Sequence, residues 1–279
     1  MALDPAFFSN LFHMVDPLLL YVLLAVLGNF IVIYIFSMVK DDNSYVDVAW
    51  GLGFILAAVV SFFLGTGQIS FNPSLLLTSL VLVWGTRLSY HLGKRVLKMS
   101  EEDYRYQEMR DKWDNFYISS FFKVYLLQAA ILMVVVSPVI YVNLSGFNVF
   151  QLYPVLVLGL LVWVTGFFFE TVGDHQLKKF KEEGGEGVLD TGLWRYTRHP
   201  NYFGESLVWW GVFLIAVSAS GTLFSLLTVA SPLLITFLLL KVSGVPLLEE
   251  ELMKDEEYRN YAERTSKFVP WFPREEKDS

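Results

Sequence analysis

The feature that most constrains this chain is the alternation of long apolar runs with short polar connections. A membrane-crossing helix needs about 20 predominantly apolar residues. Seven such runs stand in the sequence, at 17–39, 45–64, 73–93, 118–142, 152–170, 200–218 and 223–242. Composition agrees, with 54% of residues hydrophobic and 18% charged, where a soluble domain carries roughly a quarter charged residues. The expected fold is all-α: a polytopic seven-transmembrane helix bundle forming one domain over 1–279.

The basic residues orient that bundle. No Lys or Arg precedes the first run, and none lies in the connections 65–72, 141–151 and 219–222. The other connections and the tail hold nearly all of them. Lys and Arg accumulate on the cytoplasmic side, so the N-terminus is expected outside and the C-terminus in the cytoplasm. A soluble cofactor then enters from the cytoplasm. The start, MALDPAFFSN, lacks the basic region of a signal peptide, so the first helix is expected to stay in the mature protein. The expected membrane is the inner membrane of a bacterium or the endoplasmic reticulum of a eukaryote.

Several chemistries drop out. With no cysteine there is no disulfide framework and no thiolate metal site. His13, His91, His175 and His199 are too scattered for a metal cluster, and no metal is expected. There is no HExxH, no Walker-type lysine loop and no GxGxxG after a strand. Gly51-Leu52-Gly53 lies inside a span and reads as helix packing. Nothing calls for a nucleic acid or an obligate protein partner.

The chemistry then falls to polar residues at the cytoplasmic ends. In GLWRYTRHPNYFGESLVWWG, residues 192–211, Trp194, Arg195, Tyr196, Arg198, His199, Asn201, Tyr202 and Glu205 surround Pro200. Proline suits the first helical position. Cations ahead of a helix N-terminus, with its free N–H groups and dipole, make an anion site. A phosphate-bearing cofactor is expected here, although a basic loop facing lipid headgroups fits the local composition equally.

Arg87, His91 and Arg95 are four apart and share a helix face, with Tyr90 on the adjacent surface. Arg87 lies within the apolar run, where a charge is costly and usually faces the bundle interior; Lys94 is expected to snorkel. Segment 101–113 interleaves Arg105 and Arg110 with Tyr104, Tyr106 and Trp113. That suits an adenine ring and phosphates, or a headgroup-level amphipathic segment. At the end of the fifth run Glu170, Asp174, Lys178 and Lys181 share one face of a helix expected to continue through His175 to Phe180. A carboxylate at this depth can bond a ribose or an amide, whereas an i,i+4 ladder explains the lysines. Asp47 in the second span and Glu205 in the sixth are lone carboxylates near membrane depth, suited to holding a proton and polarising a ketone. The tail run PLLEEEL, 246–252, is expected to keep most of its acids solvated.

GLWRYTRHPNYFGE followed by WWG, the EDYRYQEMR segment and the tail LLEEEL…EEYRNYAERTSKFVPWFP resemble the steroid 5α-reductase-like membrane proteins, in their bacterial branch. The similarity runs over most of the chain from the second span onward. It implies a seven-helix bundle holding NADPH on its cytoplasmic side. It also implies hydride transfer to the β-carbon of an enone in a lipid, such as a Δ4-3-oxo steroid, taken from the bilayer. Asp174 stands where the family has a cofactor-binding Asp, and Asn201, Tyr202 and Glu205 match its Asn-aromatic-x-Gly-Glu run. Glu170 replaces an Asn, Lys181 an Arg that pairs with phosphate, and His199 a different residue. The Glu and Tyr that hold the ketone in eukaryotic steroid enzymes are only weakly matched, by Asp47, Trp50 and Trp84. The polarising acid is therefore sought among Asp47, His91 and Glu205, with Tyr90 and Tyr202 as hydroxyl donors. Around NADPH, the expected cations are Arg87, Arg95, Arg105, Arg110, Lys178, Lys181 and Arg198. Tyr106, Trp113, Trp194 and Tyr196 supply rings, and Glu170, Asp174, His199 and Asn201, with Tyr202 and Glu205, supply polar contacts. Membrane methyltransferases acting on isoprenylcysteine and phospholipids have a similar RHPxYxG, so S-adenosylmethionine-dependent methyl transfer is the alternative. That cofactor has no phosphates, and the basic clusters favour NADPH.

Overall fold

The computed structural model describes residues 17–65, 67 and 69–274; His13 lies outside them. Every regular element among the described residues is helical. Seven helical stretches are long and apolar enough to cross a membrane: Pro17–Lys40, Asn43–Leu64, Pro73–Lys98, Phe116–Val135, Tyr153–Glu182, Pro200–Ser220 and Leu223–Leu252. The chain divides into two compact units, Met1–Gln151 and Leu152–Ser279.

In the first unit, α1 (Pro17–Lys40) leads through a 3₁₀ turn at Asn43–Tyr45 into α2 (Val46–Leu64). Next, α3 (Pro73–Lys98) begins where the sequence predicts. Asn72 caps it by accepting the Leu75 N–H at 2.8 Å, and Pro73 opens it with no N–H to leave unpaired. The expected packing role of Gly51 and Gly53 is realised. A Cβ on Gly51 would lie 2.3 Å from Ser89 Oγ on α3, and one on Gly53 would lie 2.6 Å from Leu132.

A short amphipathic helix, α4 (Tyr104–Lys112), precedes the fourth span. That span is not the continuous helix expected over 118–142. It is built of α5 (Phe116–Ser120), a π turn at Phe121–Leu126, and α6 (Leu127–Val135), and the chain restarts as α7 (Ser137–Ser145). Pro138 is the cause: it has no N–H and its ring clashes with the carbonyl four residues back. Buried Asn143 ties α7 to its neighbours, donating to Ala58 O, Ser61 Oγ and Thr78 Oγ1 at 2.9–3.1 Å.

The second unit is organised around α8 (Tyr153–Glu182) and α9 (Pro200–Ser220). The 30 residues of α8 span ~45 Å at 1.5 Å per residue, longer than a hydrocarbon core, so its end continues beyond His175 as expected. Gly159, Gly166 and Gly173 recur every seven residues on α8; Gly159 meets Gly211 and Gly166 meets Gly204 on α9, and Gly173 meets Pro200 and Asn201 at its start. A Cβ on Gly204 would lie 2.4 Å from Glu170 N and 2.5 Å from Gly166 O, and one on Gly211 2.7 Å from Trp163 N. Backbone meets backbone along this seam, the close approach that small residues permit in membrane helices.

The last span is interrupted as α10 (Leu223–Leu227) and α11 (Ala230–Lys241). A turn then leads to α12 (Val245–Leu252), and α13 (Glu256–Arg264) follows.

Candidate functional site

The loop before α9 is held in place from both sides within the second unit. Gly192 turns with φ +61° against Gln176, whose side chain accepts the Leu193 N–H at 3.0 Å. Trp194 Nε1 donates to Gly173 O at 3.1 Å, and its carbonyl accepts the Tyr261 hydroxyl. Thr197 Oγ1 donates to Phe268 O at 2.8 Å, and Arg198 N donates to Ser266 O at 2.9 Å. Tyr196 offers its carbonyl to Trp271 N at 2.9 Å. Trp194 and Tyr196, expected as rings against a cofactor, thus use their polar atoms to fasten this loop. Arg195 is exposed.

Asn201, second residue of α9, faces Asp174 on α8. Its Nδ2 donates to Asp174 Oδ1 at 3.1 Å. A carboxylate oxygen accepts hydrogen bonds here, so this contact fixes which way the amide points. The other end, Asn201 Oδ1, is buried without a hydrogen-bond partner. Leaving a buried acceptor unmatched costs about 1–3 kcal/mol. A ligand N–H would remove that cost. Glu170, 3% exposed, lies one turn before Asp174, and Glu205 lies one turn after Asn201; Tyr202 and Glu205 are half-buried. The Tyr202 ring stacks on His199, centroids 5.7 Å apart and 14° from parallel. Lys178 and Lys181 are exposed, and Lys178 lies 3.9 Å from Glu182 in an i,i+4 pair.

The residue the sequence reading missed is Glu249. Far from being solvated, it is 7% exposed and gathers three cationic or imidazole groups. His199 Nε2 lies 3.0 Å and Arg198 Nε 3.1 Å from its Oε1, and Lys267 Nζ lies 3.3 Å from its Oε2. Arg198 and His199 are themselves buried, so both groups expected to face a cofactor have a protein partner. Burial lowers the His199 pKa below the usual histidine value, outweighing the hydrogen bond to Glu249 that would raise it. The neutral ring then donates from Nε2 to the carboxylate, leaving Nδ1 as an acceptor. The signal was present in helical spacing: Val245, fully buried on α12, is four residues before Glu249. Gln176 was also missed; its contact with Leu193 is a backbone one that composition does not reveal.

In the first unit the basic residues meet carboxylates. Arg95 Nη2 lies 2.8 Å from Asp103 Oδ2; Arg105 reaches Asp103 through Nε at 2.8 Å and Asp47 through Nη2 at 2.9 Å. Tyr106, buried, donates its hydroxyl to Asp47 at 3.1 Å. Arg110 pairs with Glu102 at 3.1 Å and Asp41 at 2.9 Å. Burial would raise the Asp103 pKa, but hydrogen bonds and charge from Arg105, then the charge of Arg95, hold it below the usual value. Burial, then Asp47, pushes the Tyr106 phenol well above its ordinary value. Asp47 accepts from Arg105 and Tyr106, whereas polarising a ketone needs a donor; the geometry makes it a support for Arg105. Trp113 stacks on Phe116 at 6.1 Å with Lys123 Nζ 4.8 Å from its ring. Tyr90 is 69% exposed, with Lys94 Nζ 5.8 Å from its ring centroid. Arg87 and His91 are half-buried on α3 and engaged by other groups.

No group of three or more metal-ligating side chains exists among the described residues. The chemistry on offer is hydrogen bonding and anion attraction around the start of α9.

Known proteins resemble the chain to different extents. An uncharacterised protein of Schizosaccharomyces pombe is 25% identical over 245 residues, 78% of this chain and 70% of that protein. The human 3-oxo-5-alpha-steroid 4-dehydrogenase 1 is 32% identical over 77 residues, 27% of this chain and 30% of the enzyme. The Arabidopsis thaliana steroid 5-alpha-reductase DET2 is 35% identical over 74 residues, 26% of this chain and 28% of the enzyme. These two enzymes are matched over less than a third of their own length. No solved structure matches the chain. The similarities are steroid 5-alpha-reductase-like, and the match that spans residues 33–265 shows that the chain belongs to the family described as "Protein of unknown function (DUF1295)".

Proposed function

We propose that this protein is a membrane reductase that uses NADPH to saturate a conjugated C=C in a hydrophobic substrate of the Δ4-3-oxo steroid type. In this reading it is one functional domain, with its N-terminus outside and its C-terminus in the cytoplasm. The observation that carries the proposal is the buried, partnerless Asn201 Oδ1 at the start of α9, oriented by Asp174. A carboxamide N–H, such as the nicotinamide ring carries, is the donor that position lacks. The partial similarity to steroid reductases supports the same reading.

When bound, NADPH supplies a hydride for the β-carbon of the enone. The protein's part is to position and to stabilise charge. Asp174 holds the Asn201 amide so that its oxygen stays turned to the ligand. His199, fixed by Glu249, backs the Tyr202 ring; in this reading the Tyr202 hydroxyl is the donor that stabilises the developing enolate, an oxyanion-type role, and Glu205, one turn further, is the supporting acid. A proton from water completes the product at the α-carbon. Arg198 and His199 act by shaping the loop through Glu249.

The test is binding. Detergent-solubilised protein is heated with NADPH, NADH or S-adenosylmethionine; a ligand at a hundred times its Kd stabilises by about 2.7 kcal/mol. A shift with NADPH that is lost in Asp174→Ala and Asn201→Ala, both still folded, is the expected result. Normal NADPH affinity in both variants removes the assignment. A shift with S-adenosylmethionine alone makes the protein a methyltransferase instead.

A further inference from the structure

The second unit contains a cavity of about 360 Å³ that the reading above leaves unused. Arg198, Arg264, Lys267 and Arg274 line it together with Trp271 and Phe272. Among the described residues the surrounding carboxylates do not cancel these cations. Asp190 takes Arg264 at 2.8 Å, Glu249 is shared between Arg198 and Lys267, and Glu263 is the one further acid on the wall. Arg274 has no ion pair among the described residues. Among the described residues four cations stand against three carboxylates, and the excess lies at the exposed rim.

The aromatic side of this cavity is as unusual as its charge. Trp271 is 71% and Phe272 75% exposed, yet the backbone beneath them is fixed. Trp271 N donates to Tyr196 O and Arg274 N to Arg264 O, each at 2.9 Å, and Ser266 Oγ donates to Val269 O at 2.6 Å. An indole on a fixed stretch of backbone, beside guanidinium groups, offers a stacking face next to a phosphate-binding fork.

Resting on the reductase reading, we infer that this cavity takes the 2′-phosphoadenosine end of the dinucleotide. The base stacks on Trp271, and the phosphate monoester is held by Arg274 with Lys267 and Arg264. Arg198 closes the inner wall three residues before Asn201, so one short loop serves both ends of the ligand. The cavity, in this view, is what distinguishes NADPH from NADH.

The experiment is calorimetric titration of the full-length protein in detergent with NADPH, NADH, 2′,5′-ADP and 5′-ADP. It uses wild type, Arg274→Ala and Trp271→Ala, both at exposed positions outside the helices. The expected result is that Arg274→Ala weakens NADPH and 2′,5′-ADP by about tenfold or more and leaves NADH unchanged, the loss of one charge-assisted hydrogen bond. Trp271→Ala should weaken all four ligands by a similar factor, as loss of stacking does. If wild type binds NADPH and both variants bind it equally well, the cavity is not the subsite while the reductase reading stands. If wild type binds none of the four, both fall. If the variants change only adsorption to anionic phospholipid vesicles, the cavity and its rings are a membrane anchor and the inference is overturned.

Discussion

The two units treat their charges in opposite ways. In the first, Arg95, Arg105 and Arg110 meet Asp103, Asp47, Glu102 and Asp41, so the cluster is a closed clasp between the α1–α2 turn and the segment that begins α4. In the second, one buried carboxylate, Glu249, answers Arg198, His199 and Lys267. Charged residues that neutralise one another hold a fold together. Charged residues that do not are where an outside molecule adds binding energy. By that criterion the second unit is where the proposed cofactor is expected to bind.

The largest expected effect tests the uneven side. Glu249→Ala strips the partner from a buried cationic group, which costs about 3–5 kcal/mol. Glu249→Gln, still able to accept from His199, should recover part of it. Denaturant unfolding of the purified protein measures both, and a loss under about 1 kcal/mol would mean that the cations find water instead.

Asp103→Asn opens the clasp and should cost about 2 kcal/mol at neutral pH. Because the folded-state pKa of Asp103 is depressed, its contribution is fully present above the unfolded value of ~3.9 and is lost as pH falls through the lower folded value. The variant should therefore have a flatter acid limb in a pH series of melting temperatures; superimposable limbs would show the clasp to be decorative.

The smallest effect is expected at Lys178→Ala. Its pair with Glu182 is long and exposed, and a change within about 0.5 kcal/mol, seen in the same melts, would confirm it as a solvated ladder.

The spans were legible because twenty consecutive apolar residues leave a backbone no alternative but to satisfy itself. The break at Pro138 was equally written in the sequence but hidden inside an unbroken apolar run. Charged positions were harder. Glu249, Glu250 and Glu251 are chemically identical, and only the phase of α12 decides that the first turns inward. Asp47 looked solitary because its partners, Arg105 and Tyr106, lie 58 and 59 residues away. Family resemblance put Asp174 and Asn201 each at the cofactor; that they pair with one another and strand an oxygen needed coordinates. The cavity around Arg274 and Trp271 depends on a tail folded back onto the loop before α9, and spacing alone carries no trace of that.

The glycine seam between α8 and α9 has a consequence for how this protein lives with its bilayer. Where backbone rests on backbone, no flexible side chain can absorb a relative shift, so the two helices tilt as one beam. A thicker or thinner membrane changes helix tilt at modest cost, and here such a change would carry Asp174 and Asn201 along together. The lipid-facing surface, with Leu161 and Phe168 exposed on α8, is free to vary with the lipids a cell makes, while the spacing on which the amide depends is insulated from them.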